Sequence, residues 1–390
     1  MKLGELVCIR TGRLDANQAV KNGRYPFFTC AAEPLRIDDW QYDCECVLVA
    51  GNCNPYVSYY NGKFNAYQRV YIIEVLEEDR LYAKYLYYFL KLYMERSTDR
   101  QHGAIEKFFH LSDFTEIDID FPSVEEQRLV ADSLWTIDRK IALNRKRIAT
   151  LEAMAKEIYD YWFVQFDFPD VHGRPYKSSG GAMVYNPDLK REIPKGWEVG
   201  VLPDIVEFTN GLACQRFRPQ SGERSLPVLK IKEMHDGITD QTERVKEDIP
   251  ERFKVYDGDV VFSWSASLEV MVWFHGKAGL NQHIFKVTEK DGWPIHFSYF
   301  LLSDYIATFR RIAESRKTTM GHITSDHLRV STVPLPQHKV VAEKFEEIVR
   351  PIFDVLVKAA QEVSNLVNMR DFLLPLLMNG QVKVGCVHGR

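Results

Sequence analysis

The sequence predicts an α+β protein in which two globular domains alternate with two long helices packed as an antiparallel coiled coil, a pseudo-twofold internal repeat. Three observations predict it. A seam of apolar residues at helical spacing runs from about Val124 to Phe163. A second runs from about Gln337 to Leu377. The order of strand, helix and loop signals before the first seam is repeated before the second.

The first seam reads Val130, Leu134, Ile137, Ile141, Asn144, Ile148, Leu151, Ala155, Ile158 and Trp162, at three- and four-residue steps. That is coiled-coil spacing, with no Pro or Gly inside it. Arg139, Lys140, Arg145, Lys146 and Arg147 fall mostly on the other faces. About forty helical residues at ~1.5 Å each span about 60 Å, the reach of a spacer or docking rail rather than of a core helix. Asn144 is the polar interruption, and one polar seam residue serves to fix register. The second seam carries Val341, Phe345, Ile348, Ile352, Val355, Ala359, Leu366 and Leu373, with Pro351 expected to kink it or mark a joint. The residues expected at a helix-pair or subunit interface are therefore Leu134, Ile137, Ile141, Asn144, Ile148, Leu151, Ile158, Val341, Phe345, Ile348, Leu366 and Leu373.

Before the first helix, residues 1–120 read as a mixed domain of short strands. Leu3, Leu6 and Val7 open it, and Cys44 to Ala50 is a buried-strand signal ended by Gly51-Asn52. Tyr59 to Ile72 suggests a hairpin turning at Asn61-Gly62. Tyr82 to Met94 reads as a helix with Tyr82, Tyr85, Leu86, Phe89 and Leu90 inward, followed by a polar loop, Ser97 to Gly103. The long helix occupies 121–165, and 166–196 is a Pro-, Gly- and Ser-rich linker.

The order then restarts. Leu202, Ile205 and Gly211 echo Leu3, Leu6 and Gly12, and Tyr256 to Phe262 echoes Tyr42 to Leu48. Asn281-Gln282 stands where Asn65 to Gln68 stood, Ile295 to Phe309 repeats the helix, and Ser315 to Gly321 repeats the polar loop. The second domain is thus 197–333, the second helix 334–380 and the tail 381–390. The economical arrangement lays the helices antiparallel with one domain at each end.

Composition sets limits on function. A 390-residue chain with 45% hydrophobic and 27% charged residues has the make-up of an ordinary soluble protein. No run approaches the roughly 18 apolar residues of a membrane span, and Met1 to Glu5 lacks a signal-peptide core, so the expected location is the cytoplasm, without membrane contact. Seven cysteines, an odd count, fit that reducing compartment. Cys30, Cys44, Cys46 and Cys53 fall close together but form no C-x-x-C pair, so buried thiols are expected rather than a metal site. The net charge of -4 opposes nucleic-acid binding only weakly, because phosphate recognition needs a local basic surface.

No catalytic signature is present: no Walker loop, dinucleotide fingerprint, His-Glu-x-x-His or persuasive Ser/His/Asp set. Asn186-Pro187-Asp188 lacks the second proline and the aromatic of an amino-methyltransferase motif. The chain is expected to be no enzyme and to hold no cofactor or metal. Nucleic-acid signals are local. Arg216, Arg218, Lys230 and Lys232 are candidates for phosphate. Arg100 and Gln101 in the first loop, and Arg316, Lys317 and Thr319 in the second, are candidates for base or groove contact, with Asn52, Asn54 and Gln68 as further bidentate candidates. Two heads on one chain suit two half-sites on one duplex. The rival is a two-domain scaffold that joins proteins without reading DNA.

These residues resemble a known family over essentially the whole chain: the specificity subunits of type I restriction-modification systems. The marks are the duplicated block of variable domain and long helix, the approach Phe121-Pro122-x-x-Glu125-Glu126-Gln127-x-x-Val130-Ala131, its second copy Pro334-Leu335-Pro336-Gln337-His338-Lys339-Val340-Val341-Ala342, and Ile193-Pro194-Lys195-Gly196-Trp197. The second copy departs, with Gln-His where Glu-Gln is usual. The resemblance implies a non-catalytic DNA reader whose two target-recognition domains read the halves of a split, asymmetric site. It further implies that the helix pair sets the unread gap and docks the modification subunits, two in number. Those partners would use S-adenosylmethionine to methylate adenine, and restriction subunits would use ATP and Mg2+ to translocate and cut the duplex.

Overall fold

The computed structural model describes residues 1–51, 56–99, 109–239, 241–265, 267–315, 323 and 325–385. The chain folds as two compact units, the first Met1–Ile141 with Leu366–Arg390, the second Ala142–Asn365.

In unit 1, β1 (Val7–Thr11), β2 (Tyr25–Phe28), β3 (Leu35–Ile37), β4 (Tyr42–Ala50), β5 (Val57–Ala66) and β6 (Val70–Val75) make one sheet in the order β1-β6-β4-β5-β2-β3. Helix α1 (Ala83–Asp99), the turn-length α2 (Ser112–Thr115) and α3 (Val124–Tyr159) follow. β4 is central and buried on both faces, which is why its residues read as a nearly unbroken apolar run. Val47 and Val49 join the cluster that includes Tyr85, Leu86, Tyr88, Leu90, Leu134 and Leu374. Cys46 and Leu48 join Phe28, Phe64 and Ile72 on the other side. Tyr88, not expected inward, is fully buried on α1, whereas Tyr82 and Phe89 are half-buried.

Asn61-Gly62 is not a turn. Both residues lie inside β5, opposite Glu45 and Cys44 of β4. Tyr60 and Phe64 flank Gly62 on one face, pack edge-to-face with each other and close on Phe28. Burying three aromatic rings requires a continuous strand, and that outweighs the local preference of Asn-Gly for a hairpin. Gly62 meets the need with a φ of +132°, which its neighbours could not adopt.

The Glu-Glu-Gln approach to α3 has a structural role. Gln127 is fully buried and uses its whole amide. Its Oε1 accepts from the backbone N–H of Tyr82 at 2.9 Å, and its Nε2 donates to the carbonyls of Arg80 and Pro122, both at 2.9 Å. It thereby caps α1 and ties α3 to it. Further along, Asp138 of α3 accepts from Tyr88 Oη at 2.6 Å and from Arg370 Nη1 at 3.0 Å.

Unit 2 begins within α3, which runs on into a π-helical turn, Asp160–Val164. The segment read as a linker is folded into this unit. It carries the hairpin β7 (Met183–Asn186) and β8 (Arg191–Pro194), and Phe168 stacks on Tyr176 and Trp197 at 4.8 and 5.5 Å. Beyond it come β9 (Trp197–Val201), α4 (Leu202–Ile205), β10 (Val206–Asn210), β11 (Ser225–Leu229), α5 (Ile231–Asp236), β12 (Arg244–Lys246) and β13 (Lys254–Val255). β14 (Val260–Ser263), β15 (Glu269–Val272), β16 (Ala278–Leu280), β17 (Ile284–Glu289), α6 (Ile295–Ser315), α7 (Ser325–Arg329), β18 (Thr332–Pro336) and α8 (Val340–Met378) complete the order. The sheet β10-β17-β14-β15 repeats β1-β6-β4-β5. Where unit 1 has one long β5, unit 2 has β15 and β16, split by a loop whose Trp273 is fully buried and donates Nε1–H to the Gly276 carbonyl.

α8 continues unbroken through Pro351, so that residue marks no joint. Its exposed position beside exposed Glu347 leaves the carbonyl that loses its donor on the water side, and buried Val349 and Phe353 hold the flanking turns. The buried stripe of α8 is Ala342, Phe345, Val349, Phe353, Leu356 and Ala360. Between Phe345 and Leu356 it lies about one residue out of phase with the expected one, so Ile348 faces solvent at 44% exposure and belongs to no helix-pair core, whereas Ala359 is buried as expected. In unit 2 the long helices run in opposite directions, with Asn144 against Glu362 and Trp162 against Phe345. Asn144 is buried and donates to Glu362 at 2.8 Å. Leu134 and Ile141 are buried; Ile137, Ile148, Leu151, Ile158, Val341, Leu366 and Leu373 are half-buried.

Candidate nucleic-acid interface

Each unit contains the same backbone knot. In unit 1 the residues after β5 make a tight turn, Tyr67 to Val70, closed by the Val70 N–H donating to the Tyr67 carbonyl at 2.8 Å. Three further bonds lash it down. Tyr67 N–H donates to Phe28 at 2.9 Å, Gln68 N–H to Leu14 at 3.0 Å, and Gly12 N–H to the Val70 carbonyl at 3.0 Å. Gly12 is required here, since a Cβ would lie 2.3 Å from the carbonyl oxygens of Ala66 and Tyr67.

Unit 2 repeats this bond for bond. Ile284 N–H closes the turn on Asn281 at 3.0 Å, Asn281 N–H donates to Leu229 at 3.1 Å, Gln282 N–H to Leu212 at 2.7 Å, and Gly211 N–H to Ile284 at 3.1 Å. A Cβ on Gly211 would stand 2.2 Å from the Asn281 oxygen. The parallel pairings Phe28 with Ala66 and Leu229 with Leu280 are also equivalent.

In each turn the two central residues have no ladder partner. They are Gln68 and Arg69 in unit 1 and Gln282 and His283 in unit 2. Gln68 and Arg69 are exposed at the rim of a cleft lined also by Thr11, Gly51, Tyr71 and Phe109. At the cleft's edge burial pushes the Cys30 thiol pKa up, while the Arg69 charge pulls it down. In unit 2 Trp264 replaces Gly51. Its N–H donates to the His283 carbonyl as that of Gly51 does to Arg69, and its carbonyl accepts from Ile323 as that of Gly51 does from Phe109. The indole lies 5.6 Å from the His283 ring and reaches Asn210 Oδ1 at 3.3 Å. Gln282 and His283 are half-buried beside it, with Gln282 Nε2 3.3 Å from His283 Nε2.

The cations expected at phosphate sit in unit 2. Arg218 and Lys230 converge on the Glu243 carboxylate, Arg218 Nη2 at 3.2 Å and Lys230 in a close ion pair. The Lys230 hydrogen bond, with help from that of Arg218, holds the Glu243 pKa below its ordinary value against the effect of burial. A phosphate there competes with a resident carboxylate. Arg216, in the turn Cys214–Phe217, and Lys232, on α5, are exposed. Asn52, Asn54, Arg100, Gln101, Arg316, Lys317 and Thr319 lie outside the described residues, as does Cys53. Sequence reasoning missed Gln282, His283, Trp264 and Asn210 as site residues; the repeat offset that carries Gln68 onto Gln282 was the available signal. Among the described residues no group of three or more His, Cys, Asp or Glu is disposed to hold a metal, and no helix is long and apolar enough to cross a membrane.

Comparison with known proteins agrees with this duplication. The Type I restriction modification DNA specificity domain matches twice, over residues 1–153 and 194–357. The EcoDI type I restriction enzyme specificity subunit of Escherichia coli is 36% identical over 381 residues, covering 89% of this chain and 80% of that protein. The MjaIX specificity subunit of Methanocaldococcus jannaschii is 25% identical, covering 80% and 71%. The crystal structure of the type I S subunit from M. genitalium shares the fold, with a TM-score of 0.63 at 17% identity over 97% of this chain and 95% of that one. Two domain matches over most of the chain and a relative at this identity establish the family: the chain belongs to the type I restriction-modification specificity subunits.

Proposed function

We propose that the chain is the DNA-reading subunit of a type I restriction-modification assembly and reads a bipartite, asymmetric site, one half with each unit. The observation that carries this reading is the duplicated knot, which presents a polar dipeptide from a rigid turn in each unit. A rigid turn is suited to base-edge contact because its side chains are positioned before binding. The chain supplies the address and no chemistry of its own. Modification subunits, two of them, bring S-adenosylmethionine and methylate adenine within the site. Restriction subunits bring ATP and Mg2+ and cut the duplex. The assembly works in the cytoplasm, and the helix pair docks the modification subunits and sets the unread gap.

The test is selection of duplexes from a random-sequence pool by the chain assembled with its modification subunit. Two base clusters separated by a gap of constant length are expected, and exchanging residues 1–120 should alter one cluster alone. A featureless pool selected by an intact assembly refutes DNA reading and leaves a protein scaffold in its place.

A further inference from the structure

Resting on that DNA-reading function, we propose that Gln68–Arg69 and Gln282–His283 are equivalent base-reading dipeptides, one for each half of the recognised site. The equivalence stands on backbone geometry rather than on sequence likeness. Four hydrogen bonds per unit join corresponding atoms: turn closure, the strand bond to Phe28 or Leu229, the bond to Leu14 or Leu212, and the glycine bond. Outside this knot the two domains differ in strand length, in loop content and in the residue at Gly51 or Trp264. The repeated backbone geometry thus places polar residues at the centre of both turns.

The chemistry of the four side chains fits the purpose. A glutamine amide presents a donor and an acceptor side by side, the pattern that pairs with adenine N6 and N7. Arg69 adds a planar fork that suits guanine O6 and N7, and His283 offers in its place Nε2, which lies 3.3 Å from Gln282 Nε2, while its Nδ1 is buried without a partner among the described residues. The same glutamine in both turns with a different neighbour is what two related but unequal half-sites require. Preorganisation differs as well. Gln68 and Arg69 stand at an open cleft, whereas Trp264 packs beside His283 and Gln282 rests against the imidazole.

The experiment uses the full chain assembled with its modification subunit and a random-sequence duplex pool. Gln68→Ala is expected to erase selection at one base pair of one cluster, and Gln282→Ala at one base pair of the other. For the selected duplex against the same duplex changed at that pair, discrimination should fall roughly 5- to 150-fold. Arg69→His, which gives unit 1 the side-chain pair of unit 2, should change the preferred base rather than abolish binding. Unfolding midpoints serve as the control for folding. If the unaltered assembly selects two clusters and neither glutamine variant changes either of them, the dipeptides are not readers, though DNA reading stands. If the glutamine variants weaken binding equally for all sequences, or Arg69→His does so and flattens the salt dependence, the side chains touch phosphate and the proposal is overturned. A featureless pool from the unaltered assembly refutes the function itself and this proposal with it.

Discussion

Replacing Gln127 with leucine isolates what the family's Glu-Glu-Gln approach does in this chain. Leucine fills a similar volume, so little cavity forms, but three hydrogen bonds of 2.9 Å vanish together. The Tyr82 N–H and the Arg80 and Pro122 carbonyls are left around a side chain with no polar atom. Each abandoned partner costs about 1–3 kcal/mol when buried. Tyr82 is half-buried and Arg80 and Pro122 are exposed, so the low end applies. A net loss of roughly 2–5 kcal/mol is therefore expected, a large share of the ~5–15 kcal/mol typical of a domain. The corresponding fall in melting temperature is roughly 6–15 °C for a domain of this size. Urea unfolding followed by hydrogen exchange, peptide by peptide, separates unit 1 from unit 2, and the loss should appear in α1 and β4 while unit 2 is unchanged. Gln127→Glu keeps an acceptor for Tyr82 but sets a carboxylate against two carbonyls. It should be damaging at neutral pH and partly recover under acid, when the protonated group can donate to one of them. A Gln127→Leu protein within about 0.5 kcal/mol of the parent in unit 1, the range of an inconsequential surface change, would refute this account of the joint.

Four further outcomes can be checked. Because Glu243 has a depressed pKa in the folded state, its pairing stabilises the protein above the ordinary glutamate value of 4.5 and is lost as pH falls through the depressed value; Glu243→Gln should flatten that part of the acid unfolding curve. The same change releases Arg218 and Lys230 and should raise non-specific DNA affinity with a steeper salt dependence, and unchanged affinity would show that these cations lie off the DNA path. Asn144→Leu removes its hydrogen bond to Glu362 and should destabilise unit 2 by about 1–3 kcal/mol; a double-mutant cycle with Glu362→Leu that gives zero coupling would remove this bond from the account of helix pairing. Gly12→Ala and Gly211→Ala drive a Cβ to 2.3 and 2.2 Å from carbonyl oxygens, and each should cost about 1–3 kcal/mol or more in its own unit only. Either substitution tolerated without loss would contradict the backbone knot.

The seam of α3 was legible because its period is local and unbroken: Leu134, Ile141 and Asn144 are all buried. The buried face of α8 was less so. Val341, Ile348 and Ile352 compete with Ala342, Val349 and Phe353 at the same spacing, and periodicity cannot rank two overlapping apolar stripes. Packing of Phe353 against His296, Tyr299 and Phe300 on one side of the helix chose between them. Asn61-Gly62 failed for a related reason, since the turn preference of two residues yields to an aromatic cluster assembled from β2 and β5.

By itself the sequence determined the duplication, the two long helices and the kinship that follows from them, because each is carried by residue order and spacing along the chain. Only the tertiary structure decided how the polar positions aligned by the repeat are held. Gln68 and Gln282 are seated by hydrogen bonds to segments far away in sequence, at Leu14 and Leu212, and no local pattern encodes such bonds. It also decided that Arg218 and Lys230 meet at Glu243 instead of standing as separate cations. Charge counts along a chain carry no distances, and pairing depends on distance.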